Sequence, residues 1–122
     1  MNRLESLAEA IKTYEGFYPF SRSWRNNNPG NLRRSKFAIG SSGGFAKFSS
    51  FASGWLGLWW DLYCKCTGNT GTALSGESSL LDLFEVWAPR SDANDPFTYA
   101  NWVANRLGVA IETKLKWFIA DV

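Results

Sequence analysis

The sequence predicts an α+β, mainly α domain: one helix, then a small β-hairpin, then a lobe of further helices. Three observations carry this expectation. Apolar residues near the N-terminus recur at three- and four-residue spacing (Leu4, Leu7, Ala8, Ile11, Tyr14), and the same period returns in four stretches after residue 50. Between them lie two short apolar runs separated by Gly40-Ser41-Ser42-Gly43-Gly44, the pattern of a hairpin. No repeat or low-complexity linker interrupts the 122 residues, so a single domain spanning 1–122 is expected, large enough to bury a core without metal or disulfide staples.

The N-terminal period places Asn2–Tyr14 in a helix that Gly16 stops. Glu15 continues the series Leu4, Ala8, Ile11 and so falls on the apolar face, pointing inward, while Arg3, Glu5, Glu9 and Lys12 lie towards water. Burying a carboxylate is costly unless it is paired or neutral. Glu15 is therefore either salt-bridged to a nearby arginine or retained for chemistry. From Phe17 to Asn31 no period is visible, and Asn28-Pro29-Gly30-Asn31 has strong turn chemistry. Leu32–Ile39 and Phe45–Phe48 are the expected strands, with residues 40–44 as their loop.

Ser50 or Ser53 caps the next helix, which runs to about Cys66 with Trp55, Leu58, Trp59, Leu62 and Cys66 as its stripe. A Gly/Ser/Thr loop follows from Thr67 to Ser79. Ser78 or Ser79 opens a helix to Trp87 that Pro89 ends, with Leu80, Leu81, Phe84 and Trp87 inward. Asp95 caps and Pro96 begins another, whose inner face is Tyr99, Ala100, Val103 and Leu107 and whose stop is Gly108. A last helix is expected from about Glu112.

Composition narrows the chemistry. There is no His, which removes the usual neutral-pH base, Ser-His and Cys-His nucleophile pairs and most zinc sites. Cys64 and Cys66 sit two apart on a predicted helix and suit neither a disulfide nor a four-ligand metal site; this leans towards a reducing compartment. Aromatic residues make up 16% of the chain, with seven Trp, more indoles than a core this size easily hides, so some are expected to line a groove. From Gly16 to Trp60 there are six basic residues and no acid, a distribution that favours an anionic partner such as a cell-wall polymer or nucleic acid. The small net charge of +2 and the asparagine run argue against nucleic acid. The N-terminus shows an amphipathic period instead of a signal peptide's apolar stretch, and no apolar run reaches membrane-spanning length.

A lone carboxyl beside an aromatic, amide-rich segment suits glycosidic cleavage, because a Glu in a partly apolar pocket stays protonated and can donate to the leaving oxygen. A second carboxylate usually completes the reaction. The predicted hairpin has none, and Asp61, Glu77, Asp92 and Asp95 each read as helix surface, loop or cap. Either the sugar's own hydroxyl completes the reaction, or a water is held by groups such as Asn27, Asn31, Ser41 or Ser42.

Glu15-Gly16, RNNNPGNL (Arg25–Leu32), GGFAKFSSFASGW (Gly43–Trp55) and WAPRSDANDPFTYANWVANRLGV (Trp87–Val109) together resemble phage and prophage lysozyme-like domains, over roughly Leu7–Val109. The resemblance implies a lysozyme-like fold and cleavage of the MurNAc–GlcNAc bond of peptidoglycan, with Glu15 matching the catalytic acid by its position. No cofactor and no metal are expected. Its partner is bacterial peptidoglycan, met by a monomer or a part of a phage particle. The protein would be made in the host cytoplasm without a signal peptide and would act on the wall after release or within a virion. The missing hairpin carboxylate leaves hydrolase and lytic transglycosylase both open. The alternative is a non-catalytic virion structural or wall-binding domain of the same fold.

Around Glu15, side-chain chemistry assigns further substrate contacts. Asn27, Asn28 and Asn31 can bond N-acetyl and hydroxyl groups, or serve only the turn. Tyr18, Trp24 and Trp87 can stack on sugar rings, or pack in the core. Arg22 and Arg25 can meet lactyl or stem-peptide carboxylates, or be plain surface charges. Tyr99 can reach the acid or the substrate, or fill the core.

Overall fold

The computed structural model describes residues 1–122. In chain order the elements are α1 (Arg3–Tyr14), α2 (Arg22–Arg25), β1 (Gly40–Ser42), β2 (Phe45–Lys47), α3 (Phe51–Thr67), α4 (Leu80–Trp87) and α5 (Pro96–Leu107), with 3₁₀ segments at Arg90–Asp92 and Leu115–Ile119. The architecture is α+β and mainly α, as expected. No helix is long and apolar enough to cross a membrane. The chain forms two compact units: Ala8–Leu62, and Met1–Leu7 together with Tyr63–Val122. Both α1 and α3 begin in one unit and end in the other.

Local rules set most helix ends. Asn2 and Glu5 form a reciprocal cap, the Glu5 N–H donating to Asn2 Oδ1 (2.8 Å) and the Asn2 N–H to Glu5 Oε1 (3.2 Å). Three helices end on a glycine in the left-handed region: Gly16, Gly68 and Gly108, at φ 74°, 78° and 70°. Each is followed by a residue whose N–H reaches back five positions: Phe17 to Lys12, Asn69 to Cys64, Val109 to Ala104.

Within Ala8–Leu62 the core is Ala8, Ala10, Ile11, Leu32, Ala46, Phe48, Leu58 and Leu62. The hairpin is antiparallel, pairing Gly40 with Lys47, Ser41 with Ala46 and Ser42 with Phe45. It differs from the expected one: the first strand is Gly40–Ser42, inside the interval expected as loop, and Leu32–Ile39 is irregular. The reason is the turn. Gly43 and Gly44 both take positive φ (62° and 83°), as the tightest hairpin turns demand, so two residues close the turn and the strands reach up to them. A second difference is α2, a four-residue helix unseen in the periodicity; Ser21 caps it by accepting from the Trp24 N–H. Tyr14, expected on the inner face of α1, is exposed.

The irregular segment 26–32 and the Phe48 ring lie against α3 because two glycines there leave room. A Cβ on Gly54 would sit 1.7 Å from the Asn27 carbonyl oxygen, and one on Gly57 would sit 2.9 Å from the Phe48 ring. Ser50 caps this helix by accepting from the Ser53 N–H (3.1 Å).

In the other unit, Phe84 of α4 stacks on Tyr99 of α5, with ring centroids 4.3 Å apart. Ser79 and Asp82 form a full capping box, and Asp95 accepts from the Thr98 N–H with Pro96 at the first helical position. The expected last helix is instead the short 3₁₀ segment Leu115–Ile119. Lys114 is extended and bridged to Ser79, the Leu80 N–H donates to Thr113 and the Leu115 N–H to Ser78, so the backbone before residue 115 is committed to strand-like pairing. Glu77 reinforces the pairing by accepting from both Lys114 and Lys116 at 2.7 Å; the two ammonium groups hold its carboxyl down at about 2. Both cysteines are free thiols, and burial pushes Cys66 up to about 12, which makes it an inert packing residue.

Candidate active site

Glu15 owes its position to the end of α1. Its own N–H still donates to Ile11, and the next residue, Gly16, turns left-handed, so Glu15 is the last residue before the chain reverses. The side chain is partly exposed, not sealed inside, and it opens into a cleft of about 250 Å³.

The cleft is lined by Tyr14, Glu15, Gly16, Tyr18, Ser21, Arg22, Ser23 and Asn31. Glu15 is the only carboxyl among these lining residues. Tyr18 folds back over Gly16, its ring 3.2 Å from where a Cβ would stand, yet the residue remains 63% exposed. The Ser21 and Ser23 hydroxyls lie 3.2 Å apart, and Ser21 Oγ also accepts from the Tyr18 and Trp24 N–H groups. Asn31 sits at φ 50°, its N–H donating to the Asn28 carbonyl, and its side-chain amide makes no hydrogen bond within the protein.

Arg22 is positioned from two sides. Its first helical turn is fixed by the Ser21 cap, and its guanidinium lies over the Phe45 ring, 4.1 Å from the centroid. The aliphatic stem runs past Gly43, whose Cβ would lie 3.6 Å from Arg22 Cδ. Thus hairpin and α2 meet at this side chain. The surrounding unit Ala8–Leu62 holds seven basic and three acidic residues, a net charge of +4 that extends over the cleft.

Of the expected contacts, Tyr18, Asn31 and Arg22 line the cleft with Glu15. Asn28 is a correction: it is wholly buried and serves the fold. Its amide donates to the Leu32 (2.8 Å) and Ala46 (2.9 Å) carbonyls, and its oxygen accepts from the Leu32 N–H (2.9 Å), so both donors are committed to backbone. Asn27 donates to the Phe48 carbonyl (3.1 Å) and also ties the turn to the hairpin's end. Arg25 is exposed at the end of α2, and Trp24 lies beside Phe20 with ring centroids 5.3 Å apart. Ser41 and Ser42 are exposed on the hairpin. Trp87 and Tyr99 belong to the other unit, where Lys65 lies over the Trp87 ring and Tyr99 stacks on Phe84. Tyr14, Ser21 and Ser23 are cleft residues that the sequence reading did not single out. The available signal was Ser21 three residues before Trp24, the spacing of a helix cap.

No group of three or more Cys, Asp or Glu side chains gathers where a metal ion could be held. Searches for likeness found no matching family model, curated protein or solved structure.

Proposed function

We propose that this chain is a peptidoglycan-cleaving glycosidase that acts on the MurNAc–GlcNAc β-1,4 bond with Glu15 as its single general acid/base. The observation that carries the reading is a lone carboxyl at a helix end, opening into a polar, aromatic-edged cleft that holds no other acid. The resemblance of the NNPGN and WAP…NDP segments to phage lysozyme-like domains supports the same reading.

Protonated Glu15 gives its proton to the glycosidic oxygen as the C1–O bond breaks, and positive charge develops at the MurNAc C1. The resulting Glu15 carboxylate then takes a proton from the attacking hydroxyl. That hydroxyl belongs either to water, leaving a reducing end, or to the MurNAc C6 hydroxyl, closing a 1,6-anhydro ring. A lone carboxyl favours the second route, because the intramolecular hydroxyl is already in place and needs no second group to hold it. Asn31 offers an amide to N-acetyl or hydroxyl groups, and Tyr18 offers a ring face to a sugar. The site of action is the cell wall, reached after release or as part of a virion.

The test pairs Glu15→Gln with mass spectrometry of digested peptidoglycan. The wild-type protein is expected to release anhydro-muropeptides. The variant is expected to keep its melting temperature within a few degrees and lose activity by roughly 100-fold or more. Undiminished lysis by Glu15→Gln overturns the assignment of the acid. Wall binding by the wild type with no new saccharide ends supports the non-catalytic alternative instead.

A further inference from the structure

Phe45 gathers two cations. The Arg22 guanidinium lies 4.1 Å from its ring centroid and the Arg33 guanidinium 4.9 Å. Neither arginine has an ion-pairing carboxylate, whereas Lys12, Arg90, Lys114 and Lys116 each do. The acid-free stretch from Gly16 to Trp60 supplies none nearby in sequence. Two like charges drawn to one aromatic ring repel each other, and an anion between or beside them relieves that repulsion. Arg22 is also held: the hairpin presents the ring, Gly43 lets the side chain pass, and Ser21 fixes the backbone of α2. Arg22 lines the same cleft as Glu15, so an anion held there lies beside the reacting bond.

We propose that Arg22 and Arg33, braced on Phe45, form a carboxylate-recognition site at the edge of the Glu15 cleft, and that it takes a carboxylate carried by the glycan strand. The inference rests on the glycosidase reading for the identity of the polymer. A guanidinium offers a planar fork that matches a carboxylate, and stacking on a ring leaves its N–H edges free to donate. The carboxylates available on such a strand are those of the lactyl group or the stem peptide. The site therefore selects glycan that bears free acid over the same glycan with its acids masked. A phosphate backbone meets the same charges, but single-stranded nucleic acid is bound through successive stacking rings along a groove. Here the one ring between the arginines is already covered by them.

The test measures binding of the Glu15→Gln protein, which leaves the ligand intact, to soluble glycan strands with free carboxylates and to the same strands converted to methylamides. Free-acid strands are expected to bind about tenfold tighter, the size of one charge-assisted pair. Arg22→Gln or Arg33→Gln is expected to reduce that ratio towards one without shifting the melting temperature. Phe45→Leu keeps both charges and removes the brace; it is expected to reduce the ratio about threefold. Equal binding of the two strands overturns the proposal. So does an Arg22-dependent affinity for single-stranded oligonucleotide that exceeds that for the glycan. Discrimination without any cleavage by the wild type leaves this site standing and overturns the glycosidase reading. Cleavage without discrimination does the reverse.

Discussion

In Tyr63–Val122 the chain is turned by caps that lie within a few residues of what they serve. Ser79 and Asp82 cap one helix, Asp95 and Thr98 the next, and Gly108 ends it. In Ala8–Leu62 the turning is done by side chains far away in sequence. Asn28 bonds Ala46, Asn27 bonds Phe48, and Gly54 makes room for the Asn27 carbonyl. Charge separates the units as well. Ala8–Leu62 carries a net +4, and Met1–Leu7 with Tyr63–Val122 carries eight acidic and six basic residues, a net −2. The difference teaches where each unit is vulnerable. A unit of capped helices loses stability in small steps, because each cap serves one end. A unit of irregular backbone depends on a few buried polar bonds and close approaches, and losing one exposes several backbone groups together.

The largest effect that tests this contrast is expected at Gly54. Gly54→Ala places a methyl 1.7 Å from the Asn27 oxygen and 3.0 Å from Pro29 Cδ, so the loop must lift off the helix. A loss of about 3 kcal/mol or more is expected in denaturant unfolding, with hydrogen exchange accelerated in 26–48 before α4 and α5. Gly71, which a Cβ would leave without a neighbour within 4 Å, is the control, and alanine there is expected to change stability by less than about 0.5 kcal/mol. Equal behaviour of the two variants breaks the contrast.

Next comes Asn28. Asn28→Ala removes three bonds at 2.8–2.9 Å and strands the Ala46 carbonyl and the Leu32 N–H in the interior, while the Leu32 carbonyl keeps the Ala46 N–H. The expected cost is about 2 kcal/mol, at about one for each buried orphan. Asn31→Ala, three positions on, is expected to cost about 1 kcal/mol, mainly for a left-handed alanine, while weakening glycan binding. Melting curves of the two, read beside a binding assay, separate the asparagine that builds the loop from the one that faces the cleft.

The smallest effect belongs to the helical unit. Glu77 is fully exposed and is held at about 2, against an ordinary 4.5, by Lys114 and Lys116. Because the folded state lowers it, the stabilisation is complete above about 4.5 and disappears as pH falls through about 2. Glu77→Gln is therefore expected to lower the melting temperature slightly at neutral pH, and not below pH 2. Molar salt is expected to shrink the difference. A pH-independent effect, or one as large as that of Gly54→Ala, contradicts the division between the units.

Much of the helical part was legible. Asp95-Pro96, Gly108, Gly16 and the Ser50 and Ser79 caps are short signals whose physics is local, and they mark real ends. The last segment was not: residues 111–116 carry a helical pattern, but their N–H and C=O groups pair with residues 76–81, and that pairing wins. The hairpin was found but misplaced, because Gly43 and Gly44 close the turn in two residues and Ser41 and Ser42 become strand. Within the candidate site, Glu15, Tyr18, Arg22 and Asn31 were visible as types of residue. Ser21 and Ser23 were not, since a four-residue helix has no period to read.

By itself, the sequence determined an α+β, mainly α chain with helix stops at its glycines and a carboxyl at the end of its first helix. It also determined a basic, acid-free stretch behind that carboxyl. Those properties follow from torsional preference, capping and charge, which each residue carries with it. Only the tertiary structure decided which asparagine is buried and which faces the cleft. The amides of Asn27, Asn28 and Asn31 are chemically identical, and what separates them is whether a distant carbonyl, at Ala46 or Phe48, comes within reach. The same holds for the two arginines on Phe45: their charge is written in the sequence, and their meeting on one ring is a product of the fold.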